Sequence, residues 1–364
     1  MYLKNLEFVS FRNLENTEYT PCENINVVYG DNAQGKTNLL EAVWMFCGAK
    51  SFRGTRDKGL VNFNAEFSRL DARFFSAGRE QNARIKIDFR RTAVLNGVEL
   101  PSVYDLNNSF CAVVFAPDHL NLIKGEPKLR RSFLDTAISS LRPNYQKNLS
   151  IYIKALKQRN AVLYETLRRP SKSTDSSELL EIFENVLAEA GAYIIRQRYK
   201  YIESLNDSAR KIYMNLCDGK EDFVLTYSST FGAEITGAEL KEELQISRSR
   251  DIQAGITGIG PHRDDVDFFI NYKPVRIFGS QGQQRSAVLS LKLGEAEILK
   301  KHCGEQPVAI LDDVMSELDP RRQDYILNHI KDWQVFISCC DPDIAAKLKS
   351  GKSVKIENGK LIGN

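Results

Sequence analysis

The chain has 364 residues, of which 42% are hydrophobic and 27% charged, and its formal net charge at pH 7 is +3. This composition is typical of a globular protein, and so mild a charge does not by itself indicate a nucleic-acid partner. No apolar run approaches the roughly 20 residues of a membrane helix, and the start lacks the parts of a signal peptide. We therefore expect a cytoplasmic protein with no membrane partner. Its length allows two compact units, or one large domain with an insertion.

Residues 1–117 show mainly the alternation of apolar and polar residues that is typical of strands. A helix is expected from about Lys36 to Phe46, directly after an apolar segment that reads as a buried strand. Asn96-Gly97 indicates a hairpin turn. The predicted strands are 2–10, 24–29, 68–77, 83–90, 92–100 and 110–117.

The middle of the chain is predicted to be mostly helical. Two long helical patterns, at 128–168 and 177–216, are divided by a polar segment that contains Pro170. Because the connection is short, we expect the two helices to form an antiparallel pair. Strands return at 222–229 and 265–272.

The remaining residues alternate helices and strands. A helix is predicted from residue 286, a strand at 308–311, a helix at 320–331 and a strand at 334–338, followed by a hairpin that turns at Asn358-Gly359. The sequence therefore predicts an α/β core that is split along the chain, with a helical insertion in the middle.

The strongest chemical signal is GDNAQGKT at residues 30–37, the phosphate loop, which lies between a predicted buried strand and a helix. Gly30 and Gly35 allow the backbone to wrap a phosphate group. Lys36 can reach the β- and γ-phosphates of a nucleotide, and the Thr37 hydroxyl can hold Mg²⁺. The alternative is an accidental glycine-rich turn, which the strand–loop–helix context disfavours.

A phosphate loop needs a carboxylate to hold the metal ion, and Asp312-Asp313 follows the apolar strand. At the carboxyl end of a buried strand, Asp312 would face the phosphate loop. It suits the metal-holding role, and Asp313 suits the residue that polarises the attacking water. The alternative is a pair of solvated aspartates that cap the next helix.

Residues 278–286, FGSQGQQRS, form a glycine-rich polar turn that precedes a helix, and we name residues 279–283 the signature turn. The unpaired backbone N–H groups of a helix N-terminus favour an anion. The turn alone does not identify that anion.

Together these features resemble the heads of ATP-binding cassette ATPases, in particular their SMC-like branch, and within it the RecF family of recombination proteins. The motifs run in family order along essentially the whole chain. They are FRNL (11–14), GDNAQGKTNLLEAV (30–43), FAPDHLNLIKGEP (115–127), RRSFLD (130–135), GPHRDD (260–265), FGSQGQQRS (278–286) and LDDVMSELD (311–319).

The resemblance implies site roles position by position. Lys36 and Thr37 would bind phosphate and Mg²⁺, Asp312 would bind the metal, and Asp313 would serve hydrolysis. Arg12 looks like the family's nucleotide-side arginine. The further residues implied to bind ATP are Gly30, Asp31, Asn32, Ala33, Gln34, Gly35 and Asn38 in one subunit, and Ser280, Gly282, Gln283, Ser316 and Asp319 in the signature and the loop joining the two sites.

Two departures from the wider cassette pattern bear on the rate of hydrolysis. Asp313 stands where Glu is common, and Ser338-Cys339-Cys340 stands where transport cassettes carry a switch histidine. We therefore expect a weak ATPase in which ATP acts mainly as a timer. If the signature turn binds the γ-phosphate of ATP held by a second copy, ATP closes a homodimer and hydrolysis releases it.

The resemblance also implies DNA as a partner, both double-stranded DNA and gap junctions, with RecR and RecO as partners in loading RecA. Basic clusters at 128–131, 167–172, 196–200 and 247–250 are compatible with phosphate contacts, but on helices such clusters are more often solvated faces. The charges of GPHRDD suggest a salt-bridged loop.

The expected fold is α/β, an ABC/SMC-type P-loop ATPase head with an antiparallel β lobe and an inserted, mostly helical second domain. Its predicted parts are 1–117, 118–260 and 261–364. Three other classes compete with this interpretation: the ATPase subunit of a transporter, a metabolic P-loop enzyme that stays monomeric, and a DNA tether that does not depend on Lys36. No carboxylate cluster indicates a nuclease outside the nucleotide site.

Overall fold

The computed structural model describes residues 1–168, 173–340 and 351–363, with backbone only at 173–176. Residues 169–172, which include Pro170 and four of the six residues of the basic cluster at 167–172, lie outside the described residues. The chain divides into two compact units. The first comprises Met1–Lys124, Ser208–Asp222 and Gly279–Asn364, and the second comprises Gly125–Asp207 and Phe223–Phe278.

The secondary structure follows in chain order. The strands are β1 (Tyr2–Val9), β2 (Thr17–Tyr19), β3 (Ile25–Tyr29), β4 (Ser68–Ser76), β5 (Arg79–Ile87), β6 (Arg91–Leu95), β7 (Val98–Glu99), β8 (Ala112–Phe115), β9 (Phe223–Ser228), β10 (Asp265–Ile270), β11 (Lys273–Pro274), β12 (Val308–Asp312), β13 (Val335–Cys339), β14 (Lys352–Glu357) and β15 (Lys360–Ile362). The helices are α1 (Lys36–Met45), α2 (Asn121–Lys124), α3 (Pro127–Leu141), α4 (Pro143–Arg168), α5 (Ser173–Leu216), α6 (Gly237–Ala254), α7 (Val275–Phe278), α8 (Gln281–Cys303) and α9 (Pro320–His329).

The core sheet of the first unit has the strand order β15-β14-β3-β13-β12-β8. All neighbouring strands are parallel except β15, which forms an antiparallel hairpin with β14. Strands β12 and β13 are buried at every residue, as expected for parallel strands covered on both faces. The carboxyl ends of β3, β13 and β12 therefore lie side by side at one edge of the sheet, which is where open α/β sheets bind ligands.

A second sheet of the first unit has the order β2-β1-β4-β5-β6-β7 and is antiparallel throughout. Side chains of β4 alternate between buried and more exposed positions, which is typical of a sheet with one face on the core. Its buried face shares an apolar core with α1 and the core sheet. This sheet is the antiparallel lobe that the sequence predicts.

The second unit contains the sheet β11-β10-β9 and helices that include α3, α4 and α6. Helices α4 and α5 run antiparallel, since Tyr145 contacts Arg198 near one end of the pair and Arg159 contacts Glu184 further along. The antiparallel helix pair is therefore as the sequence indicates. In the part of the chain that the structure describes, no helix is both long enough and apolar enough to span a bilayer.

Several elements differ from the sequence prediction. The helical pattern at 128–168 is two helices, because Arg142 is extended and Pro143, which has no N–H, starts a new helix. Helix α8 starts at Gln281 and not at residue 286. Helix α6 was not predicted. The predicted part boundaries at 117 and 260 stay a prediction, although β10 pairs with β9 in the second unit and residues 208–222 belong to the first.

Candidate nucleotide-binding site

The phosphate loop has a backbone that few residues adopt. Gly30 and Gly35, at its ends, have φ of 148° and 119°, and Ala33 between them has φ of 65°. A Cβ on Gly30 would lie 2.4 Å from the carbonyl oxygen of Ile356, so only glycine fits there. The loop leads directly into α1, whose first N–H groups are available to an anion.

Lys36 spans the phosphate loop and stabilises its conformation. Its side chain is buried, and Nζ donates to the carbonyl oxygens of Gly30 at 2.7 Å and Asp31 at 2.9 Å. The Sγ of Cys340 lies 3.3 Å from the same nitrogen and 3.1 Å from the Asn32 side chain. These neutral contacts keep the ammonium group at the mouth of the loop, where a phosphate oxygen could replace them.

Asp312, at the carboxyl end of β12, accepts two hydroxyl hydrogen bonds. Thr37 Oγ1 and Ser338 Oγ each donate to Asp312 Oδ1 at 2.8 Å. Burial raises the pKa of Asp312, and the two hydroxyl bonds act in the opposite direction. Ser338 also accepts from the backbone N–H of Asp313 at 2.8 Å, which holds Asp313 at a φ of 52°. Adjacent strands thus fix both aspartates relative to the phosphate loop.

Residues of the phosphate loop, Asp313 and Ser338 line a cleft of about 570 Å³, which we name the nucleotide cleft. Its volume is within the range of small-molecule sites. Arg12 lies on its wall and forms a two-pronged ion pair with the fully buried Glu41, at 2.8 and 3.0 Å, and also donates to Thr55. The cleft is lined by Arg12, Asn13, Asn32, Ala33, Gly35, Lys36, Thr37, Asn38, Arg53, Gly59, Val61, Asn62, Phe63, Asn64, Asp313 and Ser338.

The donor set fits Mg²⁺. Thr37 Oγ1 and Asp312 Oδ1 are 2.8 Å apart, and both are oxygen ligands of the kind that this cation prefers. In nucleotide sites Mg²⁺ usually takes one or two carboxylates together with phosphate oxygens, not a cage of protein ligands. Over the described ranges, no group of three or more His, Cys, Asp or Glu side chains could hold a metal ion.

The signature turn forms the first turn of α8. Ser280 is the N-cap, and it forms a capping box with Gln283, in which each side chain bonds to the other's backbone N–H. Gln283 Nε2 also donates to Glu221 at 2.8 Å. The turn lines a separate cleft of about 270 Å³, together with Lys220, Arg321 and Arg322 among others.

The two remaining predicted residues lie between β12 and α9. Ser316 donates to the carbonyl oxygen of Asp313 at 2.9 Å, and Asp319 caps α9 and pairs with Arg322. Arg322 donates to the Gly282 carbonyl at 2.8 Å and to Ser286. This loop therefore connects the Asp313 end of the nucleotide cleft to the signature turn of the same chain.

The predicted site residues fall in two places. The residues that line the nucleotide cleft are Arg12, Asn32, Ala33, Gly35, Lys36, Thr37, Asn38 and Asp313. Four other predicted residues do not line it: Gly30, Asp31, Gln34 and Asp312. Ser280, Gly282 and Gln283 line the second cleft. No residue of the signature turn appears in the nucleotide cleft, as far as the described residues show.

Sequence reasoning missed several residues that organise these sites. Ser338 and Glu41 each bond a site residue from a neighbouring element, and Arg322 and Glu221 do so for the signature turn. No spacing pattern marks any of them, because each contact joins segments that only the folded chain brings together.

The 260–265 motif lies in the second unit and is salt-bridged, as its charges suggest. Asp265 pairs with the buried Arg130, and the Asp264 carbonyl accepts from Arg131. In three of the basic clusters an arginine therefore forms an ion pair within the unit: Arg130 here, Arg198 with Asp135 at 2.8 Å, and Arg248 with Glu184.

Comparison with known proteins agrees with this geometry. The family model described as RecF/RecN/SMC N terminal domain matches residues 2–362. The DNA replication and repair protein RecF of Clostridium perfringens is 38% identical over 367 residues, covering 99% of each chain, and that of Lachnospira eligens is 36% identical. A solved structure of the recombination mediator protein RecF with ATP, in the RecFOR pathway, superposes with a TM-score of 0.88 at 35% identity, covering 99% of this chain and 97% of that chain.

The Smc head domain of Pyrococcus furiosus, bound to the C-terminal domain of ScpA, has a TM-score of 0.54 at 16% identity and so shares the fold. Fold and site together define an ATPase head of the SMC-like class, which confirms the predicted α/β fold class. The chain belongs to the RecF family.

Proposed function

We propose that the protein is an ATP- and Mg²⁺-dependent DNA-binding protein of recombinational repair and replication, and a slow ATPase. The observation that carries the nucleotide part is the 2.8 Å contact between Thr37 and Asp312 beside the phosphate loop. Thr37 and Asp312 would hold Mg²⁺, which neutralises phosphate charge when bound. Lys36 would exchange its carbonyl partners for phosphate oxygens, and Asp313 would orient the attacking water.

ATP would also join two copies of the chain. The signature turn lines a cleft of its own, so a nucleotide in the first cleft would need the signature turn of a second copy to complete its coordination. The anion at the helix N-terminus of α8 would then be the γ-phosphate of the partner's ATP. Because only the closed homodimer makes these contacts, ATP would favour it and hydrolysis would release it.

The DNA part rests on the family. The relatives are named DNA replication and repair protein RecF, and the related structure is described within the RecFOR pathway. We infer double-stranded DNA and gap junctions as ligands of the ATP-bound dimer, and RecR and RecO as partners that connect it to RecA. Slow hydrolysis would make the bound state long-lived.

Sedimentation tests this proposal. Wild type, Lys36→Met and Ser280→Arg are each run with Mg-ATP, with Mg-ADP and without nucleotide, in the presence and absence of gapped DNA. We expect wild-type dimers only with ATP, and none with either variant. If wild type binds ATP but stays monomeric in every condition, the dimer proposal is wrong, and the protein is better interpreted as a monomeric P-loop enzyme.

A further inference from the structure

The β14–β15 hairpin packs against the phosphate loop, and none of its residues is among those that line the nucleotide cleft. Strand β14 pairs in parallel with β3, with Lys355 opposite Tyr29, so the hairpin continues past the point where the phosphate loop begins. Its turn, Asn358-Gly359, has both residues at positive φ, 50° and 81°. We name these two residues the hairpin turn.

Hydrogen bonds join the hairpin turn to the middle of the phosphate loop. The backbone N–H of Asn358 donates to the Gln34 side chain, and the backbone N–H of Gly359 donates to the Gln34 carbonyl at 3.0 Å. Further along β14, the Ile356 carbonyl lies against Gly30 and its side chain faces Gly35. The hairpin therefore contacts the phosphate loop at its start, middle and end.

The hairpin turn also contacts the FRNL segment on the cleft wall and Glu15, the residue that follows it. Gly359 accepts from the Glu15 N–H at 2.9 Å, and a Cβ on Gly359 would lie 2.0 Å from the Asn13 carbonyl oxygen. Asn13 in turn donates to the Ala33 carbonyl at 3.3 Å and accepts from Asn38 at 2.6 Å. Phosphate loop, FRNL segment and hairpin turn thus form one bonded assembly.

We propose that the hairpin turn is a positioning element for the phosphate loop, which sets the affinity for the diphosphate portion of a nucleotide without contacting it. The inference rests on the proposed nucleotide binding. A phosphate site depends on the direction of backbone N–H groups, and small displacements of positioned groups cost large factors in affinity or rate. Residues about 325 positions away in sequence from the loop therefore determine its shape.

The chain offers a matched control, because Asn96-Gly97 forms a second turn of the same type. Gly97 has φ of 83°, close to the 81° of Gly359, but nothing lies within 4 Å of a Cβ placed on it. Gly97→Ala and Gly359→Ala therefore impose a similar backbone strain, and only the second pushes the turn away from Asn13 and Gln34.

The experiment is titration of the full-length chain with Mg-ADP and with AMP by calorimetry, because ADP reports on the phosphate loop without closing a dimer. We expect Gly359→Ala to weaken ADP binding roughly tenfold or more relative to Gly97→Ala, with the ADP-to-AMP affinity ratio lowered. Equal ADP affinities in the two folded variants would overturn the inference. Wild type that binds no ADP, or Lys36→Met that binds it as wild type does, would overturn the proposed nucleotide site and with it the inference.

A second variant covers the case in which Gly359→Ala does not fold. Gln34→Ala removes the side-chain acceptor of the Asn358 N–H at a residue that does not line the nucleotide cleft, so the expected effect runs through the hairpin turn. We expect faster hydrogen exchange at residues 358–359 in the absence of nucleotide, together with weaker ADP binding. Unchanged ADP affinity in this variant would overturn the inference. Where both variants fold, the double variant should lose less than the product of the single losses, since both changes act through one contact.

Discussion

His262 lies at the centre of the 260–265 motif, between two hydrogen-bond partners. The Tyr152 hydroxyl is 2.7 Å from Nδ1 and the Thr257 carbonyl is 3.1 Å from Nε2. Because the carbonyl can only accept, Nε2 carries a proton. Burial lowers the pKa of His262 to about 4, so the ring is neutral at pH 7 and Nδ1 accepts from the tyrosine.

This lowered pKa predicts acid sensitivity. In the unfolded chain His262 binds a proton below about pH 6.5, the usual pKa of histidine. In the folded chain it binds that proton only below about pH 4. Stability is thus fully present above about pH 6.5 and is lost as the pH falls toward 4, by roughly 3 kcal/mol in all. When the free energy of unfolding is measured with urea between these pH values, it should change less with pH for His262→Gln than for wild type. The surface control His302→Gln should behave as wild type does. Parallel profiles in all three proteins would contradict this account.

At the residue scale, the contact between motif residues can be predicted from the sequence, but the residues that hold them in place cannot. The pairing of Thr37 with Asp312 follows from two motifs whose spacing and context fix their chemistry. Ser338 lies within an apolar strand, and no motif marks it as a partner of Asp312. It reaches Asp312 because β12 and β13 pair with these two residues opposite each other, a register that no local pattern encodes.

Three helices of the second unit meet at a buried ion cluster. Arg159 on α4 is fully buried and donates to Glu184 on α5 at 3.0 Å and to Asp251 on α6 at 2.7 Å. Arg248, also on α6, contacts Glu184 as well, so two arginines meet two carboxylates. Removal of one partner from such a cluster leaves a buried charge without compensation, which is strongly destabilising.

We therefore predict that Arg159→Met destabilises the protein by about 3–5 kcal/mol. Hydrogen exchange should accelerate in α4 and α6, and the urea midpoint should fall. The control is Arg210→Met, which breaks the half-exposed pair with Asp222 at the end of α5 and should cost no more than about 1 kcal/mol. If Arg159→Met lowered the free energy of unfolding no more than this control does, the cluster would not hold the helices together.

At the element scale, strands with clear alternation were predicted within a few residues, since one buried face dictates the period. Helix α6 was missed because charged and polar residues dominate its surface and only Leu240, Leu244, Ser247 and Asp251 are buried. The start of α8 was placed too late because its first turn contains Gly282 and polar residues. A capping box stabilises that turn instead of an apolar face.

At the scale of the whole molecule, the proposed binding of DNA by the ATP-bound dimer predicts that DNA affinity depends on salt. If the ATP-bound dimer contacts about six phosphates, its DNA affinity should fall roughly 10³-fold between about 50 and 200 mM salt. Fluorescence anisotropy with a gapped duplex in Mg-ATP measures this slope. Lys36→Met should bind the same DNA more weakly, with no response to ATP. If DNA affinity changed neither with salt nor with ATP, binding of the phosphate backbone by the ATP-bound dimer would be ruled out.

The division into units was the part of the whole-molecule prediction that sequence could least define. Composition indicates a helical insertion, but which strands belong to it depends on long-range contacts. Strand β10 pairs with β9 within the second unit, with partners between 37 residues (Ser228 and Asp265) and 47 residues (Phe223 and Ile270) apart. Residues 208–222 belong to the first unit, although they continue a helix of the second.

The order of strands in the core sheet has a consequence for how the protein is made. Strand β3 lies between β14 and β13, whose residues are translated some 300 positions later. A nascent chain leaves the ribosome with its phosphate loop exposed early, and that loop has no neighbouring strands until residues 335–357 emerge. Pairings of such long sequence separation form late in folding. The core sheet can therefore assemble only after nearly all of these residues are synthesised, so a polypeptide that stops before β13 and β14 should leave the phosphate loop without its neighbouring strands.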